Sequence, residues 1–248
     1  MTTAEIKEMA TKYIMNTYGD RTLALVRGAG PYVWDAEGNK HLDFLSGIAV
    51  NGLGHCHPKV VEAIHKQAEK LMHVSNLYYI EPQAKLAKLM IDNGELDQCF
   101  FCNSGAEANE SAIKIARKYA VDNGKSNAYE IITMHNSFHG RTMATITATG
   151  QTKYHKGFEP MLPGFSYVPF DDLDAVAQTI TSQTCAILVE LIQSEGGVNV
   201  PSEGYLEGLR EICDQHDLLL IFDEVQTSPG RLGAFFGYQT YGVVPDVL

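Results

Sequence analysis

Short runs of consecutive apolar residues alternate with longer amphipathic segments along most of this chain. A continuous apolar run bounded by polar residues is typical of a strand buried on both faces, whereas apolar residues three and four positions apart indicate a helix. Strands that alternate with helices predict an α/β domain with a mostly parallel sheet flanked by helices. The predicted strands are 99–102, 129–134, 167–169, 185–190 and 218–223, and the predicted helices among them are a long one ending near 121, 173–182 and 204–216.

The N-terminal part of the chain has a different pattern. Residues 4–16 predict a short amphipathic helix, and residues 30–44 predict a β-hairpin because two β-prone runs flank a turn rich in Glu, Gly and Asn. Residues 46–54 are apolar and rich in glycine, which indicates a connector whose backbone can approach other groups closely. Further helices are predicted to begin at Pro58 and Pro82.

The composition is that of an ordinary globular protein, with 45% hydrophobic and 20% charged residues. A net charge of −11 argues against nucleic acid or an anionic membrane as a main partner. No targeting peptide and no membrane-spanning run is evident. The pair Cys99 and Cys102 has no second pair at zinc-ribbon spacing, so we predict no metal site and expect reduced thiols in a cytoplasmic protein.

Carboxylates follow two of the predicted strands. The run 218–222 stops at Asp223 and Glu224, and the preceding strand stops at Glu190, with Glu195 five residues further on. Ligands of open α/β sheets bind at the carboxyl ends of strands, and a buried carboxylate needs a cationic partner. Asp223 therefore either faces a positively charged ligand or is a surface group beyond a core strand. The two later glutamates could equally belong to structural ion pairs.

Small residues precede the long predicted helix. Ser104, Gly105 and Ala106 leave backbone N–H groups uncovered at a helix start, where the partial positive charge suits an anion such as phosphate. The alternative is a capping box in which Ser104 caps the helix and Glu107 turns back to the backbone. The two interpretations are compatible. Neither a P-loop nor a dinucleotide-binding fingerprint is present.

The segment Phe138-His139-Gly140-Arg141-Thr142 follows another predicted strand. Phe138 can stack on a flat ligand, and Arg141 can bind a carboxylate through two hydrogen bonds. The alternative is a surface loop with a solvated arginine. A flat cationic heterocycle with a phosphate needs four groups at its site. They are an anion site, a stacking ring, a carboxylate-binding arginine and an acid for the cation. Pyridoxal 5′-phosphate (PLP) is one such heterocycle.

Four motifs are distributed over nearly the whole length of the chain: residues 42–51 followed by 53–55, 103–110, 138–142 and 223–227. Through them the chain resembles the class III aminotransferases of PLP fold type I, and within these the acetylornithine aminotransferases most closely. The resemblance implies a mostly parallel sheet flanked by helices in a large PLP-binding domain, 56–248, incomplete at its C-terminus. Residues 1–55, a helix and a hairpin, would belong to a smaller α+β domain.

The resemblance also implies roles in binding the cofactor. Ser104 and the two amides after it would hold the phosphate, and Phe138 would stack on the pyridine ring. Asp223 would pair with the pyridinium nitrogen, and Gln226 would lie near the phenolic oxygen. The implied cofactor-binding residues are Ser104, Gly105, Ala106, Phe138, Asp223, Glu224, Val225 and Gln226.

On the substrate side, the resemblance implies that Arg141 binds the α-carboxylate and that Glu190 and Glu195 line the pocket. The implied reaction transfers the ω-amino group of N2-acetyl-L-ornithine to 2-oxoglutarate, a cytoplasmic step of arginine biosynthesis carried out by a homodimer. Alternatives are another ω-aminotransferase, acting on ornithine, succinylornithine or 4-aminobutyrate, or a fragment that binds PLP without catalysis.

The family's Schiff-base lysine is implied beyond Leu248, the last residue of this sequence. We therefore expect a polypeptide that ends at Leu248 to be inactive as a transaminase, because the lysine serves both to hold the cofactor and as the base. The test is glutamate formation from N2-acetylornithine and 2-oxoglutarate by the purified 248-residue polypeptide. Sustained turnover would contradict the expectation.

Overall fold

The computed structural model describes all residues from Met1 to Leu248, in two compact units, Met1–Tyr79 and Ile80–Leu248. The domain boundary implied after residue 55 stays a prediction. The helices are α1 Thr3–Tyr13, α2 Ser46–Ala49, α3 Pro58–Lys70, α4 Glu81–Asp92, α5 Gly105–Asp122, α6 Met143–Ala148, α7 Thr152–His155, α8 Leu173–Thr179, α9 Tyr205–His216 and α10 Tyr238–Tyr241. The strands are β1 Leu25–Ala29, β2 Tyr32–Asp35, β3 Lys40–Leu42, β4 Glu130–Met134, β5 Phe165–Val168, β6 Thr184–Glu190 and β7 Leu219–Asp223.

The first unit contains the predicted N-terminal helix and hairpin. Helix α1 begins after Thr2, whose hydroxyl accepts from the Glu5 amide while the Glu5 carboxylate accepts from the Thr2 amide. Strands β2 and β3 form the predicted hairpin, and β1 adds a third antiparallel strand that the sequence pattern did not reveal. The predicted connector contains α2, a left-handed turn in which φ is between 51° and 66° at all four residues.

The second unit is built on a parallel sheet in the order β5-β4-β6-β7. Every residue of β6 is buried, as its unbroken apolar run predicted. Because side chains alternate along a strand, Ile187 and Val189 pack on one face with α8 and α9, while Ala186 and Leu188 pack on the other with α5. The predicted α/β architecture, with helices on both faces of a parallel sheet, is confirmed.

Two segments differ from what their composition suggests. The strand predicted at 99–102 is wrong, because the segment is irregular, is not paired in the sheet, and leaves Phe100 69% exposed. A strand exists only where another strand satisfies its backbone, which an apolar run cannot guarantee. Residues 143–148, although polar and β-branched, form α6, since Thr142 caps this helix and the Glu110 carboxylate accepts from the Ala144 amide. None of the helices is long and apolar enough to cross a membrane.

Truncation of a buried side chain in β6 should lower the stability of the fold. Ile187→Ala removes a side chain that is fully buried in β6, and we expect it to lower the free energy of unfolding by roughly 2–5 kcal/mol. Ile115→Ala is the matched control, because Ile115 is 45% exposed on α5 and alanine favours a helix. Urea denaturation measures both. Equal effects of the two substitutions would contradict the assignment of the core.

Candidate active site

The start of α5 has the capped helix end on which the predicted anion site depends. Ser104 has an extended backbone and caps the helix, its hydroxyl accepting from the Glu107 amide at 3.2 Å. The Glu107 carboxylate accepts from the Asn103 amide at 2.6 Å, one residue before the position expected for a capping box. The acidic side chain is thereby held by the chain before the helix. The amides of Gly105 and Ala106 lie in the first turn, where they have no intrahelical acceptor.

Two glycines let three candidate segments meet at this point. A Cβ at Gly105 would lie 2.8 Å from a methyl carbon of Val225, just beyond β7. Gly140 has φ 135°, and a Cβ there would lie 2.8 Å from the Cβ of Ala106. The helix start, the loop after β4 and the end of β7 therefore form one site, as expected for the carboxyl ends of neighbouring strands.

Asp223 is a buried carboxylate with three hydrogen-bond donors. Its Oδ2 accepts from His139 Nδ1 at 2.8 Å and from Asn109 Nδ2 at 2.8 Å, and its Oδ1 accepts from the Val225 amide at 3.1 Å. Burial by itself raises the pKa of Asp223, but the hydrogen bonds and charge of His139 and the Asn109 amide outweigh burial and lower it. Asp223 is therefore an anion at the end of the sheet, and a surface carboxylate is excluded.

The sequence interpretation missed Asn109 and His139. Asn109 also donates to the His139 carbonyl oxygen at 2.9 Å, so it connects α5 to both partners of the buried ion. A signal for Asn109 was present, since it is a polar residue on the otherwise apolar buried stripe of α5 that continues through Ala112 and Ala116. His139 carried no comparable signal beyond its place next to Phe138.

Glu190 lies next to Asp223, since the two residues are partners in the register of β6 and β7. Its Oε2 accepts from the Phe138 amide at 3.0 Å, so this side chain holds the backbone of the loop after β4. Burial raises the pKa of Glu190 to about 7; nearby His139 opposes the change and the charge of Asp223 adds to it. Two adjacent carboxyl groups thus have opposite pKa shifts.

Arg141 and Phe138 share an aromatic neighbour, Tyr154 of α7. The guanidinium carbon of Arg141 lies 4.2 Å from the centre of the Tyr154 ring and 5.6 Å from that of Phe138. The two rings meet edge to face, with centroids 5.7 Å apart. Arg141 is exposed and takes part in none of the ion pairs of the structure, so its charge is available to a carboxylate.

The remaining predicted cofactor-binding residues, Glu224, Val225 and Gln226, follow Asp223 directly in the chain. The Glu224 carboxylate accepts from the Gly237 and Tyr238 amides and from the Ser228 hydroxyl, so its side chain stabilises the following loop. Burial raises the pKa of Glu224, although these hydrogen bonds oppose the change. Val225 and Gln226 follow β7, exposed and half-buried respectively.

Glu195 is exposed in the loop after β6, and no hydrogen bond joins it to Arg141 or Asp223. Of the two glutamates predicted on the substrate side, only Glu190 contacts another candidate residue, through the Phe138 amide. The substrate-side role of both residues stays a prediction.

Residues 13–248 match the class III aminotransferase family, and the chain belongs to that family. It is 56% identical over 237 residues to the acetylornithine aminotransferase of Caldanaerobacter subterraneus, covering 96% of this chain and 60% of that protein. It is 53% identical to the acetylornithine aminotransferase of Methanocaldococcus jannaschii, covering 97% and 61%. The chain thus spans about 60% of the length of the relatives it matches.

Solved structures agree on the fold. An ornithine aminotransferase from Toxoplasma gondii superposes with a TM-score of 0.93 at 33% identity, covering 100% of this chain and 59% of that one. The N-acetylornithine aminotransferase from Stenotrophomonas maltophilia superposes with a TM-score of 0.82 at 38% identity, covering 97% and 59%. The predicted membership of class III and the fold of the PLP-dependent type I transferases are confirmed.

The protonation of Glu190 should make stability depend on pH. Between its ordinary pKa of 4.5 and the folded value of about 7, the unfolded chain loses a proton that the folded chain keeps. The contribution of Glu190 to the free energy of unfolding is therefore fully present below pH 4.5. It is lost as the pH rises through 7, which lowers the free energy of unfolding by about 3 kcal/mol.

Glu190→Gln removes this titration while keeping an acceptor for the Phe138 amide. We expect the variant to match the original chain at pH 4.5 and to exceed it by about 3 kcal/mol at pH 8, measured by urea denaturation of the cofactor-free protein. Glu195→Gln, on an exposed carboxylate, controls for the loss of one negative charge. A stability difference for Glu190→Gln that does not change with pH would contradict the assignment.

Proposed function

We propose that the complete protein transfers the ω-amino group of N2-acetyl-L-ornithine to 2-oxoglutarate with PLP as cofactor, in the cytoplasm, as a step of arginine biosynthesis. The observation that carries the proposal is the buried anion Asp223, which lies at the end of β7 beside the start of α5. The donor substrate is supported by relatives named acetylornithine aminotransferase that are 48–56% identical to this chain.

The residues of the site fit PLP. Asp223 supplies the buried negative charge that a protonated pyridine nitrogen needs, and its fixed hydrogen bonds leave it ionised at neutral pH. Ser104 and the amides of Gly105 and Ala106 supply donors for a phosphate at a helix start. The glycine at 105, packed against Val225, leaves no room for a side chain at this point of the backbone. Phe138 offers a ring for stacking.

Bound PLP supplies an electron sink for the negative charge that develops on the substrate carbon. Asp223 strengthens that capacity by holding a proton at the ring nitrogen. Phe138 fixes the plane of the ring, and its backbone is held by Glu190. Gln226, next to the same strand end, would donate to the phenolic oxygen. Of the other two residues of that segment, Glu224 would contribute by holding the following loop, and Val225 by packing against the start of α5.

Arg141 would bind the α-carboxylate that the amino donor and 2-oxoglutarate have in common, using two parallel N–H groups. This single position therefore serves both halves of the exchange. Glu190 and Glu195 would line the substrate side, Glu195 from its exposed loop. We propose further that the complete protein acts as a homodimer.

Removal of the buried charge tests the cofactor assignment. Asp223→Asn keeps the shape of the side chain but loses the anion, so we expect weaker binding of PLP and a fall in kcat of about 10²-fold in the full-length protein. Asp122→Asn, an exposed carboxylate at the end of α5 paired with Lys118, should change neither. PLP absorbance titration and steady-state rates measure the two effects. Asp223→Asn with full activity would contradict the assignment.

The donor substrate is tested separately. The full-length protein should have a higher kcat/KM for N2-acetylornithine than for ornithine, succinylornithine or 4-aminobutyrate, with 2-oxoglutarate as acceptor. The high structural similarity to an ornithine aminotransferase makes ornithine the principal competitor. Preference for one of the other amines would replace the proposed substrate. PLP binding without turnover of any of them would favour a binding protein without catalysis.

A further inference from the structure

Tyr154 contacts two candidate residues, Arg141 and Phe138, which are proposed to bind the substrate and the cofactor respectively. Its ring lies under the guanidinium of Arg141, at 4.2 Å from ring centre to carbon, and meets the edge of Phe138 at 5.7 Å. Both distances are within the ranges at which a cation and a ring, or two rings, attract each other. Tyr154 thus lies where the group proposed to stack on the cofactor and the group proposed to bind the substrate carboxylate come together.

The backbone of Arg141 is held firmly while its side chain is not. The next residue, Thr142, donates its hydroxyl to the Glu110 carboxylate at 2.5 Å, and the Ala144 amide donates to the same carboxylate oxygen at 3.2 Å. The Arg141 guanidinium makes none of the hydrogen bonds or ion pairs of the structure. A long exposed side chain without such partners has several rotamers available. The aromatic rings alone therefore select its direction.

The position of Tyr154 is set by the same loop that it contacts. The Tyr154 amide donates to the Gln151 carbonyl oxygen at 3.0 Å, and the Gln151 side chain donates to the Ser137 carbonyl oxygen at 2.9 Å. Helix α7 is thereby attached to the residue that precedes Phe138. The Tyr154 hydroxyl group makes no hydrogen bond, so the ring is the part of the side chain that interacts.

We propose that Tyr154 is a positioning residue, which holds the Arg141 guanidinium in the direction needed to bind a substrate α-carboxylate. The inference rests on the proposed function and adds a substrate-positioning contact to it. Tyr154 acts through Arg141 and is not itself a catalytic residue. Its effect should appear in the binding of every substrate or inhibitor that places a carboxylate at Arg141.

The experiment uses the full-length, PLP-loaded protein. Tyr154→Leu should raise KM for N2-acetylornithine and for 2-oxoglutarate by about 3- to 10-fold and leave kcat within about 2-fold. The Kd of glutarate, an unreactive dicarboxylate, should rise by the same factor in isothermal titration calorimetry. Tyr154→Phe keeps the ring and should match the original protein. Tyr154→Gln also loses the ring at this half-buried position, so it should show the same rise in KM and Kd, and it replaces the Leu variant if that variant folds poorly.

Two controls separate positioning from a general structural effect. In an Arg141→Ala background, Tyr154→Leu should raise the Kd of glutarate no further, because residues that act as a unit are not additive. Tyr129→Leu removes a different tyrosine ring, one that lies 5.9 Å from the Arg117 guanidinium, and should leave the Kd of glutarate unchanged.

An unchanged Kd in Tyr154→Leu, an effect that persists without Arg141, or an equal effect of Tyr129→Leu would each overturn the inference while the proposed function stands. A protein that neither binds PLP nor turns over any of the amines would overturn the proposed function, and the positioning role would fall with it.

Discussion

The structure depends on keeping one ionised carboxylate buried. An anion without partners is too costly to remove from water, so Asp223 requires the donors that surround it. These donors come from three places: the Asn109 side chain on α5, the His139 ring in the loop after β4, and the Val225 amide beyond β7 itself. Satisfying one charge therefore fixes a helix and a loop against the same end of the sheet. The start of α5 and the charged strand end are brought together by this requirement.

The neighbouring carboxyl group, that of Glu190, has a pKa shift in the opposite direction. Glu190 is in register with Asp223 and accepts from the Phe138 amide, but it lacks the side-chain donors that His139 and Asn109 supply to Asp223. Burial and the nearby negative charge therefore raise the pKa of Glu190 to about 7. One site thus contains a permanent anion and a group that exchanges a proton near neutral pH. The first suits a cationic group, and the second holds the loop that carries Phe138.

Side chains that the sequence motifs single out do not all face the buried charge of Asp223. Glu224 adjoins Asp223 in the chain, yet successive side chains of an extended segment point in opposite directions, and its carboxylate holds the loop at Gly237 and Tyr238. Tyr154 lies outside every motif and contacts both aromatic and charged residues of the site. Position in a motif therefore indicates which region is used, while contacts decide what each residue does.

The amino-acid sequence by itself determined the alternation of strands and helices, the parallel sheet and the strand ends that carry the chemistry, because hydrophobic periodicity and capping are local properties. Tertiary structure decided what local patterns cannot express. The apolar run at Phe100 is no strand, because a strand requires a neighbour for its backbone. Asn109 and His139 became site residues only when α5 and the loop after β4 met at Asp223. The partners of a buried charge are fixed by distances across the fold, and no spacing along the chain encodes them.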